Sequence, residues 1–152
     1  MVHLRKDGFQ VKLLGKLHSS FKIATFRKTS SEEEIAALDK YTSISLPVEF
    51  VGIVRENTEI EILVANEKCI RIWGASGCIE MNEAYAIQKY IPFSLAIGDD
   101  ECGNAIIYAN GKSGFGVYMV ALNDLDVEEL MYIAPTLESF LVYGEGVSAV
   151  LS

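Results

Sequence analysis

The sequence predicts an α+β fold built as one domain. Two helix-start signals stand early, at Ser31–Glu34 and at Leu46-Pro47, and a further apolar helical stretch stands late, over 135–142. Between them run five β-type segments, several of them consecutive. Helices gathered towards both ends with strands between are the pattern of α+β rather than of alternating βαβ units. A length of 152 residues, half of them hydrophobic, fits a single domain with its own core.

Taken in order, Phe21-Lys-Ile-Ala-Thr-Phe26 alternates enough to suggest a strand. It lies in a basic N-terminal segment, residues 1–30, expected to be part of the domain 31–152 or packed on it. Ser31 followed by Glu34 has the spacing of a capping box, with Glu32 and Glu33 favourable in the first turn, and Ile35 and Leu38 share a face of the helix that runs to about Lys40. Leu46-Pro47 opens a second helix, proline being tolerated at the first helical position, with Phe50, Val51 and Val54 as its buried stripe. Strict alternation over 59–64 and 69–73 reads as two strands. Gly74-Ala-Ser-Gly77 is expected to break the chain. Met81, Ala84, Tyr85 and Gln88 then predict a helix over 80–90, closed by Pro92. Three β runs follow at 93–97, 105–108 and 115–122, the last two joined by the glycine-rich hairpin loop Asn110–Gly114. Asn123-Asp124 caps a short turn through Glu128-Glu129-Leu130. Residues 135–142 read as a helix with Leu137, Phe140 and Leu141 inward, and 147–151 as a final short strand.

Charge is unevenly placed. Residues 1–30 hold seven basic residues against one acid, a net +6, while the other six basic and twenty acidic residues leave −14 on the body, so that the chain carries −8. Such a body repels nucleic acid and favours a basic protein partner. No stretch approaches the roughly 18 apolar residues of a membrane span, and Met1–Asp7 lack the apolar segment of a secretory signal. The expectation is a soluble cytoplasmic domain with neither nucleic acid nor membrane as partner.

Cysteine and histidine counts narrow the chemistry. Cys69, Cys78 and Cys102 cannot pair completely and form no C-x-x-C, so neither a zinc knuckle nor a thioredoxin-type pair is written here. Only His3 and His18 are present, both in the basic segment, which leaves Ser–His–Asp and Cys–His catalysis without a base in the body. Gly111-Lys112-Ser113 copies the tail of a phosphate loop, but Ile106 stands where its first glycine belongs and a strand follows instead of a helix. Gly114-Phe-Gly116 lacks the third glycine of a dinucleotide fingerprint, and Gly74-Ala-Ser76-Gly77 has the wrong spacing for a nucleophile elbow. No cofactor or metal is called for.

The densest chemical signal is Ile97-Gly98-Asp99-Asp100-Glu101-Cys102-Gly103-Asn104. Three consecutive acids suit a hard cation, yet the alternating spacing of a calcium loop is missing and neighbouring side chains in extended backbone point apart. The plainer reading is a tight turn in which Asp and Asn cap backbone donors and glycine takes a positive φ. A partner-binding acidic knob is the second reading, with Asp99, Asp100 and Glu101 in contact and Asn104 shaping the turn. A carboxylate pair for hydrolysis needs two acids facing each other about 5–10 Å apart across a cleft, which nothing in the pattern favours.

The order of these pieces resembles the SMI1/KNR4 family of the SUKH superfamily over roughly residues 30–143. The resemblance rests on the capped acidic helix, Leu46-Pro47-Val-Glu-Phe50, Glu80-Met-Asn-Glu-Ala-Tyr85, Ile91-Pro92, the Ile97-Gly98-Asp99-Asp100…Gly103-Asn104 segment and Leu137-Glu-Ser-Phe140-Leu141. Glu101-Cys102 stand where the family often has glycines, and Asn57 is followed by Thr58 where Asn-Gly is usual. The resemblance implies a mixed, mainly antiparallel sheet with flanking helices. It also implies a non-catalytic role, as a bacterial immunity protein that binds a toxin domain, often a nuclease, or as a regulatory scaffold. A carboxylate-based hydrolase and a self-associating adaptor remain as alternatives.

Overall fold

The computed structural model describes residues 13–152, so His3 and the first part of the basic segment lie outside the described residues. Seven strands form one sheet in chain order: β1 (Phe21–Arg27), β2 (Thr58–Val64), β3 (Lys68–Ile72), β4 (Leu95–Asp99), β5 (Asn104–Gly111), β6 (Gly114–Ala121) and β7 (Met131–Ala134). Helices α1 (Glu32–Tyr41) and α2 (Val48–Glu56) are inserted between β1 and β2. Helices α3 (Ala75–Ala84) and α4 (Ile87–Tyr90) lie between β3 and β4, and α5 (Leu137–Leu141) and α6 (Val147–Leu151) follow β7. The α+β class is as the sequence predicts. The expected mixed component is not found among the described residues, where all six strand pairings are antiparallel. Each strand meets the next one in sequence, through hairpins or through helical excursions that return it in the opposite sense.

Local signals that are complete in themselves come out as read. Ser31 Oγ accepts from Glu34 N at 3.1 Å while Ser31 N donates to Glu34 Oε1 at 2.8 Å, which closes the capping box of α1. Ile35 and Leu38 are buried beneath it. Helix α2 departs from the reading in two details: Pro47 is its N-cap rather than its first helical residue, and Ile53 takes the place of half-buried Val51 in the buried stripe with Phe50 and Val54. In β2 and β3, Ile60, Ile62, Val64, Ile70 and Ile72 are buried on one face while Glu59, Glu61, Cys69 and Arg71 stand half-exposed on the other. The Lys112-Ser113 turn joins Gly111 to Gly114, and the Tyr118 hydroxyl clamps it by accepting from Ser113 N and donating to Gly114 O. The tail of the phosphate loop is thus a hairpin.

Three expectations are corrected. Residues 147–151 form helix α6 rather than a strand, because a five-residue apolar run carries no period of its own and Gly146, at φ 81, turns the chain into it. The helix expected over 80–90 is two helices, parted at Ala86 with φ 50. The first begins at Ala75, inside the segment expected to break the chain. Its opening donors are satisfied from far away, Gly74 N by Glu59 Oε2 at 2.7 Å and Ala75 N by Ser30 Oγ at 3.0 Å. Strand β7 has no counterpart in the sequence reading. The connection before it packs Leu122, Leu125 and Leu130 on the core and carries Glu128 to 3.4 Å from Lys112 in the β5–β6 turn. Among the described residues no helix is long and apolar enough to cross a membrane.

Candidate functional site

The acidic turn links β4 to β5, and the carboxylates of Asp99 and Asp100 accept the hydrogen bonds that build it. Asp100 is 3% exposed. Its Oδ1 accepts from Cys102 N at 2.9 Å and Asn104 N at 3.0 Å, and its Oδ2 accepts from Asn104 Nδ2 at 2.7 Å. Asp99 Oδ1 accepts from Glu101 N at 2.7 Å, and its Oδ2 takes the indole N–H of Trp73, also at 2.7 Å. Gly103 takes φ 92, the positive value the turn reading asks for. Glu101, at φ 58, occupies a left-handed position that favours glycine. Gly98 is required for a different reason, since a Cβ there would collide with the carbonyl of Arg71 on the neighbouring strand.

Of the four residues singled out in the sequence, Asp100 and Asn104 therefore face each other inside the turn. Asp99 is half-exposed and Glu101 exposed. The residue that the sequence reading missed is Arg71. Register places it opposite both Glu61 on β2 and Asp99 on β4. Its Nη2 lies 2.6 Å from Glu61 Oε1 and 2.5 Å from Glu101 Oε1. The Arg71 hydrogen bond holds the Glu61 carboxyl below the usual carboxylate range, and Glu61 in turn raises Arg71. The alternation of β3 shows that Arg71 points away from the core; only the pairing of β3 with β4 shows what it meets.

Cys69 stands beside this pair. Burial, with Glu101 close by, pushes its thiol up to about 11. One oxygen each of Glu61 and Glu101 and the Cys69 sulfur lie within 4.8 Å of one another, a set of metal-ligand type. The positive charge among them is already the Arg71 guanidinium, which bridges the two carboxylates. A cavity of ≈ 660 Å³ opens on the same face, lined by Thr25, Arg27, Glu59, Glu61 and Arg71. Its cations and anions alternate, and Glu59 already caps α3, so the arrangement suits recognition by charge more than proton transfer between facing acids.

A second carboxylate has a structural post. Glu49, from the Leu46-Pro47-Val-Glu-Phe50 segment, takes the Tyr108 hydroxyl on Oε2 at 2.8 Å and Leu137 N at 2.6 Å, tying α2 to β5 and to the start of α5.

Comparison with known proteins fits this layout. Residues 29–142 match the model of the SMI1 / KNR4 family (SUKH-1), a stretch from just after β1 to just past α5. A search of curated proteins gave no match. Because the matched stretch holds the capping box, the Glu49 post and the whole acidic turn, and covers most of the chain, this chain belongs to the SMI1/KNR4 family (SUKH-1).

Proposed function

We propose that this chain is a non-catalytic binding module, a bacterial immunity protein that acts in the cytoplasm by binding a toxin domain and occluding it. The observation that carries the reading is membership of a family of immunity-type domains. Charge supports it. The body from residue 31 onward carries twenty acids against six basic residues, and three of those six, Arg55, Arg71 and Lys112, are already paired with carboxylates. Such a surface draws a basic protein such as a nuclease domain and repels nucleic acid, and complementary charge acts mainly on the rate of encounter. Asp99, half-exposed, and Glu101, exposed, are the turn carboxylates that reach the surface, where a basic partner meets them alongside Trp73 and Arg71. Asp100 and Asn104 serve by fixing the loop on which those two are carried.

The test is an affinity pull-down from the source organism with tagged full-length protein, followed by an activity assay on what is recovered. A stoichiometric basic protein whose activity falls when this chain is added supports the reading. Recovery of no such protein while toxin genes are expressed overturns it in favour of a regulatory scaffold. With the partner in hand, Asp99→Asn/Glu101→Gln is expected to slow association about tenfold at low salt, with the difference shrinking as salt is added. An unchanged association rate removes the turn from the interface.

A further inference from the structure

Phe93 is the most exposed large hydrophobic side chain among the described residues, at 71%. Its backbone sits at φ 52, a left-handed conformation that a bulky residue adopts only where its surroundings enforce it. The enforcement is visible on both sides. Buried Ser94 donates from Oγ to the Ile91 carbonyl at 2.6 Å, and Gln88 Nε2 donates to the Ser94 carbonyl at 3.0 Å. Gln88 also donates to Asn82, whose side chain is fully buried. The ring is thus held out in solvent by a rigid loop rather than left there by a loose one.

It does not stand alone. Tyr90, 49% exposed, ends α4 three residues earlier, with the Lys89 ammonium 5.5 Å from its ring centroid. Phe115, also 49% exposed, stacks on Tyr108 with centroids 6.1 Å apart. Tyr108 pairs with Leu95, two residues beyond Phe93, so Phe93 and Phe115 lie at the same end of the sheet. Rigid aromatic side chains fixed before contact lose little freedom on binding and are the commonest anchors of protein interfaces.

We propose that Phe93, at the end of the sheet that also exposes Phe115, is the anchor by which this chain seats its partner, entering an apolar socket on the basic toxin domain. This rests on the immunity reading above and adds to it the residue that holds the complex together. Charge selects the occupant: a second copy would bring a net −8 against −8, whereas a basic protein is drawn in. The acidic body then governs the rate of encounter, and the aromatic anchor governs the rate of release.

Phe93→Gly separates anchor from structure, because glycine accepts the positive φ at no steric cost. In the source strain the native gene is replaced by Phe93→Gly, by Phe93→Tyr or by a deletion, and each strain is competed against its toxin-delivering parent. Protein levels and melting temperatures of the full chain are measured alongside. The deletion strain is expected to lose the competition. The Phe93→Gly protein is expected to melt no lower than native and yet to leave its strain as vulnerable as the deletion, while Phe93→Tyr protects. Against the recovered toxin domain, Phe93→Gly is expected to weaken affinity about 30-fold or more, through faster release. Full protection by Phe93→Gly beside a failing deletion strain overturns the anchor and leaves the immunity reading standing. A deletion strain that suffers no loss overturns both. Melting well below native assigns the ring to the fold, and a concentration-dependent dimer abolished by Phe93→Gly assigns it to a second copy; either result overturns the proposal.

Discussion

Glu49 shows how one side chain can decide the placement of three elements. From α2 it receives the hydroxyl of Tyr108, which is buried on β5, and the first free backbone N–H of α5. Truncation leaves both donors without an acceptor inside the protein, the costly half of a hydrogen bond. Glu49→Ala is expected to destabilise the fold by about 2 kcal/mol while the helical content of α1 and α3 is kept, which denaturant unfolding followed by circular dichroism checks. A loss under about 0.5 kcal/mol, the size of an ordinary surface change, means that water replaces the carboxylate. In the sequence this glutamate is one acid of twenty-one. Its role lies in contacts 59 and 88 residues away along the chain, where no local pattern reaches. The capping box at Ser31 was legible for the opposite reason, since both its partners sit within four residues.

At the scale of elements, Asn82 does the work of a missing strand. β3 and β4 share only the pairs Arg71 with Asp99 and Ile72 with Gly98 before the chain leaves for α3. The backbone of Ala96 would then face an empty lane. Asn82 fills it from α3: its Oδ1 accepts from Ala96 N at 3.0 Å, and its Nδ2 donates to Ala96 O at 2.8 Å and to Cys78 O at 2.7 Å. A side-chain amide carries the same donor and acceptor as a peptide, which is why it can stand in for one. Asn82→Asp removes both donors and places a charge at a fully buried position, so a loss of about 3 kcal/mol or more is expected, read as a fall in the denaturation midpoint. Native-like stability of that variant sinks the strand-substitute role. The same region explains why the sequence pattern places the start of α3 late. Its caps come from Ser30 and Glu59, 45 and 15 residues back, and a helix capped through space shows no start signal beside it.

For the whole molecule, the groups that burial raises set the alkaline limit. Cys78 and Tyr108 are buried and titrate well above their ordinary 9.0 and 10.0, and Cys69 is pushed up to about 11. The unfolded chain releases these protons first, so it binds fewer protons than the native state above pH 9. Stability is therefore expected to be level with respect to these groups below about pH 9 and to fall as pH rises beyond it. Melting temperatures taken across the range check this. Cys78→Ala should flatten the onset between the ordinary thiol and phenol values, and an unaltered slope there refutes the assignment. On the acid side the sign reverses. Glu32 and Glu61, held below 4.5 by Arg55 and Arg71, stabilise the fold above that value, and their contribution is lost as pH falls through the lowered one.

The α+β class, the family resemblance, most of the helices and strands, and the turn between β4 and β5 are legible in the sequence, because each is written in residues close together: alternation, capping spacing, an Asp-Asp-x-x-Gly-Asn run. The sequence also carries the division of charge between a basic first segment and an acidic body. That Asp100 faces inward, that Arg71 stands between Glu61 and Glu101, and that Phe93 is held out in a conformation its side chain does not favour emerge from the folded chain alone. Each of these depends on which strand or helix comes to lie beside which. That choice is made by burial of the shared core, a sum over the whole chain that no short window of residues contains.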